Sequence, residues 1–268
     1  MPGEARSDNF LLSTATLMLG PQASLLALNP DAHSLGLVKD IVFGSETAWA
    51  ELNQGIANSL VYSLMTGNNL NIAGDMYEFG PRQLAYGASL DGQAYTPSTY
   101  SSTVATAYAA PADPAILGAA ALVLTDVTGI SAGKFINVRA LGQDTIHPRK
   151  VLAVDVASKT VTMNAGLPVA VAQGAKVTGA VMLPMGAPDA NAFYSAKLVG
   201  QLANGKPIAI LVPKVRITSG VSLAFKTDNF QGMPIAIKAF DLLPTDPFYA
   251  DFATLGQNGG PAKAQVIL

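Results

Sequence analysis

The chain has 268 residues, of which 50% are hydrophobic and only 13% are charged, and its formal net charge is −2. Because ordinary globular proteins carry about 25% charged residues, this surface is unusually poor in charge and suits contact with other protein surfaces. The scattered basic residues argue against a reader of nucleic-acid sequence, and the absence of cysteine excludes disulfides, thiolate metal sites and a cysteine nucleophile.

The N-terminus and the apolar runs set expectations about targeting. The opening MPGEARSDNF is polar and has no apolar core, so we expect no secretory signal. The longest apolar run, 116–124, is much shorter than the ~18–20 residues that a membrane span needs. We therefore expect a soluble chain that is made in the cytoplasm and has no membrane partner.

Strand-type alternation begins the chain. A hairpin is predicted with strands at 10–19 and 24–28, because Gly20-Pro21 is a strong turn pair, and a further strand is predicted at 35–43.

Residues 46–64 admit two interpretations. A helix is possible because Trp49, Leu52 and Leu60 fit a helical spacing, but alternation favours a strand from residue 58 onward. The sequence TGNN at 66–69 predicts a hairpin turn, after which the chain returns as an antiparallel strand.

One short helix is predicted at 81–90, where Pro81 suits the first turn and Asp91-Gly92 ends the helix. After it, 93–110 is rich in Ser, Thr, Ala and Tyr and predicts an extended loop or an edge strand. Four or five short strands with tight turns at 129–133 and 155–159 then predict a small β-barrel or sandwich.

The domain organisation follows from this change in composition. We predict a core formed by 1–111 and 184–268, with 112–183 as an inserted β-module. In the second part of the core, strands are predicted around Ile210 and Ile237, with Pro207, Pro213 and Pro234 at their ends. The Gly-Gly-Pro hinge and apolar tail at 259–268 predict docking on a neighbouring molecule.

Catalytic motifs are weak. His33 and His147 each have a nearby aspartate, Asp31 and Asp144, but no G-x-S-x-G elbow accompanies them, so surface histidines are the favoured interpretation. No histidine spacing typical of a metal site is present.

Two loops resemble ligand-binding motifs without matching them. The loop at 129–135 has three rather than four residues before Gly133-Lys134, and Phe135 follows the lysine, so a turn leading into a strand is favoured over a phosphate loop. Asp126, Asp144 and Asp155 lack the spacing of a calcium loop.

Two stretches resemble the major tail tube protein of long-tailed, siphovirus-like bacteriophages. The first is 52–79, which contains VYSLMTGNNLNIAGDMYEF and precedes the short helix at 81–90. The second is 210–252, which begins ILVPKVRITSGVSLAFKTDNFQGMPIAIKAF. The opening NFLLSTATLML and LGLVKDIVF also fit, so the resemblance covers most of the chain outside the insert.

This resemblance implies a mainly β fold, with a sandwich or barrel core, one flanking helix and a small β-module on the outside. It implies rings of six copies whose inner sheets join around a channel, and rings that stack into a tube for the tape measure protein and then for double-stranded DNA. The tail terminator and distal tail proteins would be further partners, the virion tail would be the location, and genome ejection during host cell entry would be the role. No cofactor, metal or enzymatic activity is implied.

The resemblance also assigns roles to charged residues. Assembly would pair strand edges that are otherwise a liability, and the charges between the two later strands become candidate inter-subunit contacts: Lys214, Arg216, Lys226 and Asp228. Since duplex DNA carries one negative charge per ~1.7 Å, a neutral or acidic lumen would let it slide. Of the acidic residues near the 58–79 strands (Glu46, Glu51, Asp75 and Glu78), Asp75 and Glu78 are the candidates for facing the lumen.

A second hypothesis is a glycan-binding or adhesin-like β-sandwich protein, with 112–183 as the recognition part. Its supporting residues would be the Asp-rich turns and Tyr95, Tyr100 and Tyr108. A hydrolase is a third and weaker hypothesis, because no convergent triad or metal set is visible.

Overall fold

The structure is a computed structural model that describes residues 15–54, 58–111, 118–140, 145–186, 193–219, 221–224, 228, 230–256 and 260–268. The fold is mainly β, as predicted, with two antiparallel sheets and short helices. The chain divides into two compact units, a first unit of Met1–Tyr95 with Met185–Leu268 and a second unit of Thr96–Pro184. The second unit therefore begins at Thr96, whereas the sequence placed the boundary at 112.

Strands dominate both units. The strands are β1 (Thr16–Pro21), β2 (Val38–Gln54), β3 (Ser59–Met76), β4 (Ser101–Thr103), β5 (Ala120–Val123), β6 (Phe135–Arg139), β7 (Ile146–Asp155), β8 (Thr160–Met163), β9 (Lys176–Ala180), β10 (Tyr194–Gln201), β11 (Pro207–Ile217), β12 (Met233–Ala239) and β13 (Gln265–Ile267). The helices are α1 (Pro30–His33), α2 (Pro81–Gly87) and α3 (Tyr249–Ala253), with 3₁₀ turns at Gln22–Ala27 and Gly92–Ala94.

The first unit is built on one sheet in the order β1-β10-β11-β12-β3-β2, and β13 also pairs with β11. β13 pairs with residues 209–211 of β11, and β12 pairs with residues 215–217, so these two strands follow one another along the same side of β11. Pro213 lies in the gap between them, where a residue without an N–H donor costs no ladder hydrogen bond.

The prediction that Pro213 marks a strand end is therefore wrong. β11 continues through it to Ile217 and includes Lys214 and Arg216, which the sequence had placed outside the strand. The expected docking of the C-terminal tail on a neighbour is also revised, because β13 pairs with β11 of the same chain.

The predicted N-terminal hairpin is wrong in its second strand. β1 pairs with β10, from Thr16 opposite Val199 to Pro21 opposite Tyr194, and residues 22–27 form a 3₁₀ turn instead of a strand at 24–28. The edge of β1 that a hairpin partner would have used carries a bridge from Met18 to Ser34. Residues 10–14 of the predicted first strand lie outside the described residues.

The predicted turn at 66–69 and the possible helix at 46–64 are also wrong. β2 and β3 form one long antiparallel hairpin in which Gly67 lies opposite Ala48, deep inside the ladder, and the chain reverses between Gln54 and Ser59. Local turn propensity at Gly67-Asn68 is overridden because the pairing continues on both sides of it.

The predicted short helix is confirmed as α2, although it ends at Gly87 rather than at 90. Tyr86 anchors the helix to the sheet: its hydroxyl donates to the Leu19 carbonyl oxygen at 3.0 Å and accepts from Gln93 Nε2 at 3.2 Å. Its ring meets that of Tyr194 edge-on, with 5.4 Å between centroids. Burial raises the pKa of Tyr86 to about 12.

The second unit is a six-stranded sheet in the order β4-β9-β6-β7-β8-β5, which agrees with the predicted set of short strands. Its two end strands meet, because Val104 bridges Leu124 and the Ala105 N–H donates to the Val123 carbonyl oxygen at 2.9 Å. The sheet is thereby closed on itself around its own apolar core, which includes Ile136 and Val161.

A buried ion pair holds β11 in the first unit. Lys214 Nζ lies 2.6 Å from Asp246 Oδ2, and the two side chains are 7% and 16% exposed. The Leu243 N–H also donates to Asp246 at 2.8 Å. The hydrogen bond from Lys214 holds the pKa of the Asp246 carboxyl below its ordinary value. The stabilisation is therefore present above the unfolded pKa of about 3.9 and is lost as the pH falls through the folded pKa.

We expect Asp246→Ala to destabilise the first unit by about 3 kcal/mol, because it leaves the Lys214 ammonium buried without a counter-charge. Lys214→Met should cost less, since Asp246 lies nearer to solvent and keeps the Leu243 N–H. Urea unfolding of both variants at pH 7 measures the difference, with exposed Asp251→Ala as the control. Equal stability of Asp246→Ala and the wild type would show that the pair contributes nothing.

Candidate assembly surface

The most unusual surface of the first unit is the outer part of the β2–β3 hairpin, residues 45–54 and 60–69, here called the ribbon. β12 pairs with β3 only at residues 71–76, so among the described residues no third strand continues along the ribbon. Residues 45–54 and 60–66 are exposed whichever way their side chains point. Within the described part of the chain, the outer part of the ribbon is therefore two strands with no layer packed on either face.

The middle of one face of the ribbon is apolar. Residues directly opposite in an antiparallel pair share a face, and alternate residues along a strand do the same. Ala50 lies opposite Leu64, and Leu52 lies opposite Tyr62. Leu52, Tyr62 and Leu64 are 61%, 59% and 53% exposed, so these four neighbours form a continuous apolar patch in solvent, which we call the apolar face.

The opposite face of the ribbon is mixed. Trp49 pairs with Met65 and Glu51 pairs with Ser63. Trp49 is 55% exposed, and its ring nitrogen donates to Thr47 Oγ1 at 3.2 Å. The ribbon sequence carries two glutamates and no lysine or arginine.

The edges of the ribbon are as unusual as its faces. β2 pairs with β3 alone, and β3 has no strand on its other side from residue 60 to residue 67 within the described part of the chain. Natural proteins blunt such edges with lysine, proline or a covering segment, yet no lysine or proline occurs at 45–67. The exposed backbone groups are a template for pairing with another chain.

The root of the ribbon is fixed by the C-terminal segment. Lys263 Nζ donates to the Asn68 carbonyl oxygen at 2.6 Å and lies 3.3 Å from Asp241 Oδ1. Ser45 Oγ donates to Asn68 Oδ1 at 2.9 Å across the two strands. These contacts fix the position of the ribbon where it joins the sheet.

The two predicted lumen-facing residues lie at the other end of β3. Asp75 is half-buried and lies opposite Lys39 in the ladder, and Glu78 is exposed and accepts the Leu37 N–H at 3.0 Å. Gly36 makes this contact possible: its φ is +76°, and a Cβ there would collide with the Glu78 carboxylate.

Two of the four predicted inter-subunit residues, Lys214 and Arg216, lie against the same ring, that of Phe193. Lys214 is buried in its ion pair with Asp246. The Arg216 guanidinium is half-buried and stacks over Phe193, with 4.6 Å to the ring centroid. Asp228 is exposed, and Lys226 lies outside the described residues.

The other candidate motifs serve local structure. His33 Nδ1 accepts the Asn29 N–H at 3.3 Å, and His147 lies on β7 opposite Val138. The loop before β6 is a turn with Gly129 and Gly133 at positive φ, as favoured from the sequence. In the described part of the chain, no three His, Asp or Glu side chains are grouped as metal ligands; Asp144 lies outside that part.

The residues of the glycan-binding hypothesis are engaged within the fold. The Tyr100 hydroxyl donates to the Asp126 carbonyl oxygen at 2.7 Å, and the Tyr108 hydroxyl accepts the Leu167 N–H at 3.1 Å. Asp126 and Asp155 accept hydrogen bonds from Thr128 and Ser158 in their own turns, which lower the pKa of both carboxyls. Tyr95 is half-buried in the first unit.

Sequence reasoning missed the apolar face. The signal was present, since aromatic and aliphatic residues occupy both alternation phases at 60–65, which is typical of a strand covered on two sides. The turn predicted at 66–69 divided the long hairpin into shorter strands, so the apolar residues were not recognised as one surface.

Comparison with protein-family models and with curated proteins returns no match for this chain. None of the described helices has the length and apolar character of a bilayer-spanning segment.

Amide hydrogen exchange of the monomer should separate the ribbon from the body. A two-stranded hairpin is only marginally stable in water, so we expect the ribbon amides to exchange at least about ten-fold faster than those of β10 and β11, which corresponds to about 1.4 kcal/mol. Mass spectrometry of peptic fragments gives both rates in one sample. Equal protection in a verified monomer would contradict the description of the ribbon as unsupported.

Proposed function

We propose that this chain is a structural subunit that polymerises with copies of itself into a tube, in the manner of the major tail tube protein that its sequence resembles. Its copies form rings of six, and the rings stack around a channel in a phage tail. The tape measure protein and then the genome occupy the channel, and tail terminator and distal tail proteins complete the ends. The role is structural and needs no cofactor or catalysis.

The observation that supports this proposal is the ribbon. Fully burying a leucine or an aromatic side chain is worth about 1.5–3 kcal/mol, and the ribbon leaves several such side chains in water on both faces. Exposed apolar surface combined with unpaired strand edges is the signature of an interaction site.

A copy of the same chain is the partner that fits best. The surface is apolar and almost uncharged, and the whole chain is poor in charge, so other copies offer similar surfaces. A head-to-tail contact between different patches of identical subunits produces rings when it closes and filaments when it does not. A tube of stacked rings combines the two: contacts within a ring close, and contacts between rings extend along the tube.

The channel requires a lining that does not hold DNA. Asp75 and Glu78 remain the proposed lumen-facing residues, although Lys39 beside Asp75 offsets part of that charge. A continuous lining of lysine and arginine in the assembled tube would contradict this part of the proposal.

The double variant Leu52→Ser with Leu64→Ser tests the proposal. It removes two large side chains from the apolar face, so assembly should lose about 3–6 kcal/mol per contact and the critical concentration should rise at least about a hundred-fold. Negative-stain microscopy and sedimentation measure tube formation in the wild type and the variant.

The matched control is Leu26→Ser with Val156→Ser, which removes two equally exposed apolar side chains, 67% and 73% exposed, outside the ribbon. The control should assemble like the wild type. A wild-type chain that stays monomeric at every concentration, or ribbon and control variants that assemble alike, would overturn the proposal.

Deletion of the second unit is a separate test. Replacing residues 96–184 with a short Gly-Ser linker removes a closed sheet that has its own core, so we expect tubes of smaller outer diameter to form in electron micrographs. Loss of all polymerisation by a variant whose circular dichroism still shows a folded β protein would place the second unit in the assembly interface.

A further inference from the structure

The first unit contains a second apolar feature, a groove that no described residue fills. At one end of the sheet, β1 is joined to the segment just before β2 by the Met18–Ser34 bridge and by the Leu35 N–H, which donates to the Leu17 carbonyl oxygen at 3.0 Å. At the other end the two strands diverge and leave a groove of about 820 Å³. Its walls come from five strands of the unit and include Val38, Phe43, Leu198, Ile208 and Ile210.

The groove reaches the main core. Leu198, Ile210 and Val38 belong to the core cluster and retain 8%, 9% and 9% exposure, whereas many of their core neighbours are fully buried. Leu37, at the groove's rim, is 51% exposed. An opening of this size over a core is filled by a few large side chains.

We propose that this groove receives the apolar face of the ribbon from a second copy of the chain. The inference rests on the proposed function and names the surface that the ribbon occupies. The apolar face offers Leu52, Tyr62 and Leu64 side by side; Glu51 lies on the opposite face, and Glu46 lies at the root of the ribbon, opposite Asn69. The groove lining carries Lys39 and Asp40 together, so the contact depends on apolar packing rather than on charge.

The ribbon of the same chain is a poor occupant of its own groove. β2 lines the groove with residues 38–43 and continues directly into the ribbon, paired with β3 as far as Gln54. Folding back would require breaking that ladder near its root. A ribbon from another copy reaches the groove without breaking any hydrogen bond.

One face of the ribbon presents about half of its twenty residues, at 45–54 and 60–69, and fourteen residues line the groove. A single contact is therefore smaller than a standard interface of about 20–30 residues on each side, and the contact repeats from copy to copy. A bulge between Lys39 and Val42, where Asp40 has φ +53°, interrupts the free edge of β2 beside the groove. Regular strand addition is therefore blocked there, and packing of apolar side chains carries the docking.

Ribbon and groove are different patches of one chain, so the contact is heterologous. Each copy inserts its ribbon into the groove of one neighbour and binds the ribbon of another neighbour in its own groove. The groove of each chain lies beside the root of its own ribbon. Such tip-to-root contacts propagate without limit unless they close.

The natural absence of cysteine makes this contact directly testable. We would prepare Leu52→Cys and Ile208→Cys as separate chains, mix them, allow assembly, and oxidise. Covalent dimers that need both variants are expected on non-reducing gels, and the chain carrying both changes should give a ladder of multimers. Leu37→Cys at the exposed rim serves as a second acceptor where the thiol at 208 reacts too slowly.

Val156→Cys with Ile208→Cys is the matched control, and it should give no ladder. Assembly without a 52–208 or 52–37 cross-link would overturn this inference and leave the proposed function standing. A disulfide formed within one chain, or a groove thiol that links instead to a cysteine placed in residues 1–14, would show that the chain covers its own groove. A chain that remains monomeric would overturn both proposals together.

Discussion

The structure of the first unit depends on one constraint: its hairpin is too long for the sheet that supports it. β2 and β3 pair over their whole lengths, but β12 accompanies β3 only as far as Asn71. Beyond that point, backbone hydrogen bonds between two strands are the main interaction that holds the ribbon, because no described residue forms a layer on either face. An isolated hairpin of this kind is marginal in water, so the described chain stabilises the ribbon less than it stabilises the rest of the sheet.

The rest of the unit is arranged to hold that hairpin by its root. β12 and β13 lie end to end along β11, and the Lys214–Asp246 pair fixes β11 from within the unit. Lys263, two residues before β13, fastens the C-terminal segment to the Asn68 carbonyl oxygen. The C-terminal segment therefore does more than complete the sheet, since it also contacts the root of the ribbon.

The sequence predicted the parts of the fold that local pattern determines. The fold class, the α2 helix with Pro81 at its start and the short strands of the second unit all follow from periodicity and turn residues, and all are confirmed. Two of the errors share one cause: β1 pairs with β10, and β13 pairs with β11, across long separations in sequence. Gly67-Asn68 has the residues of a good turn, yet the β2–β3 ladder continues through it. Whether a strand ends there is determined by the pairing on both sides and not by local turn propensity.

The candidate surface was harder to predict than the fold. Charged residues were the sequence candidates for contacts between subunits, yet Lys214 forms its ion pair with Asp246 of its own chain. The apolar residues Leu52, Tyr62 and Leu64 do not mark a surface in the sequence, since alternation cannot distinguish a strand face that is covered from one that is exposed. Only the three-dimensional neighbours of the hairpin reveal that nothing in the described chain covers it.

The two units of this chain provide an internal comparison that bears on why the ribbon is open. In the second unit the same low-charge composition folds into a sheet whose end strands meet at Val104 and Leu124. In the first unit the equivalent closure exists at one end, at Met18 and Ser34, but the sheet opens into a groove at the other end, where the ribbon starts. An open edge is therefore not a general consequence of this chain's composition.

The exposed ribbon and the open groove occur in the same unit and share the strand β2. The apolar face of the ribbon and the apolar groove are complementary in chemistry, which is why the proposed contact pairs them between two copies.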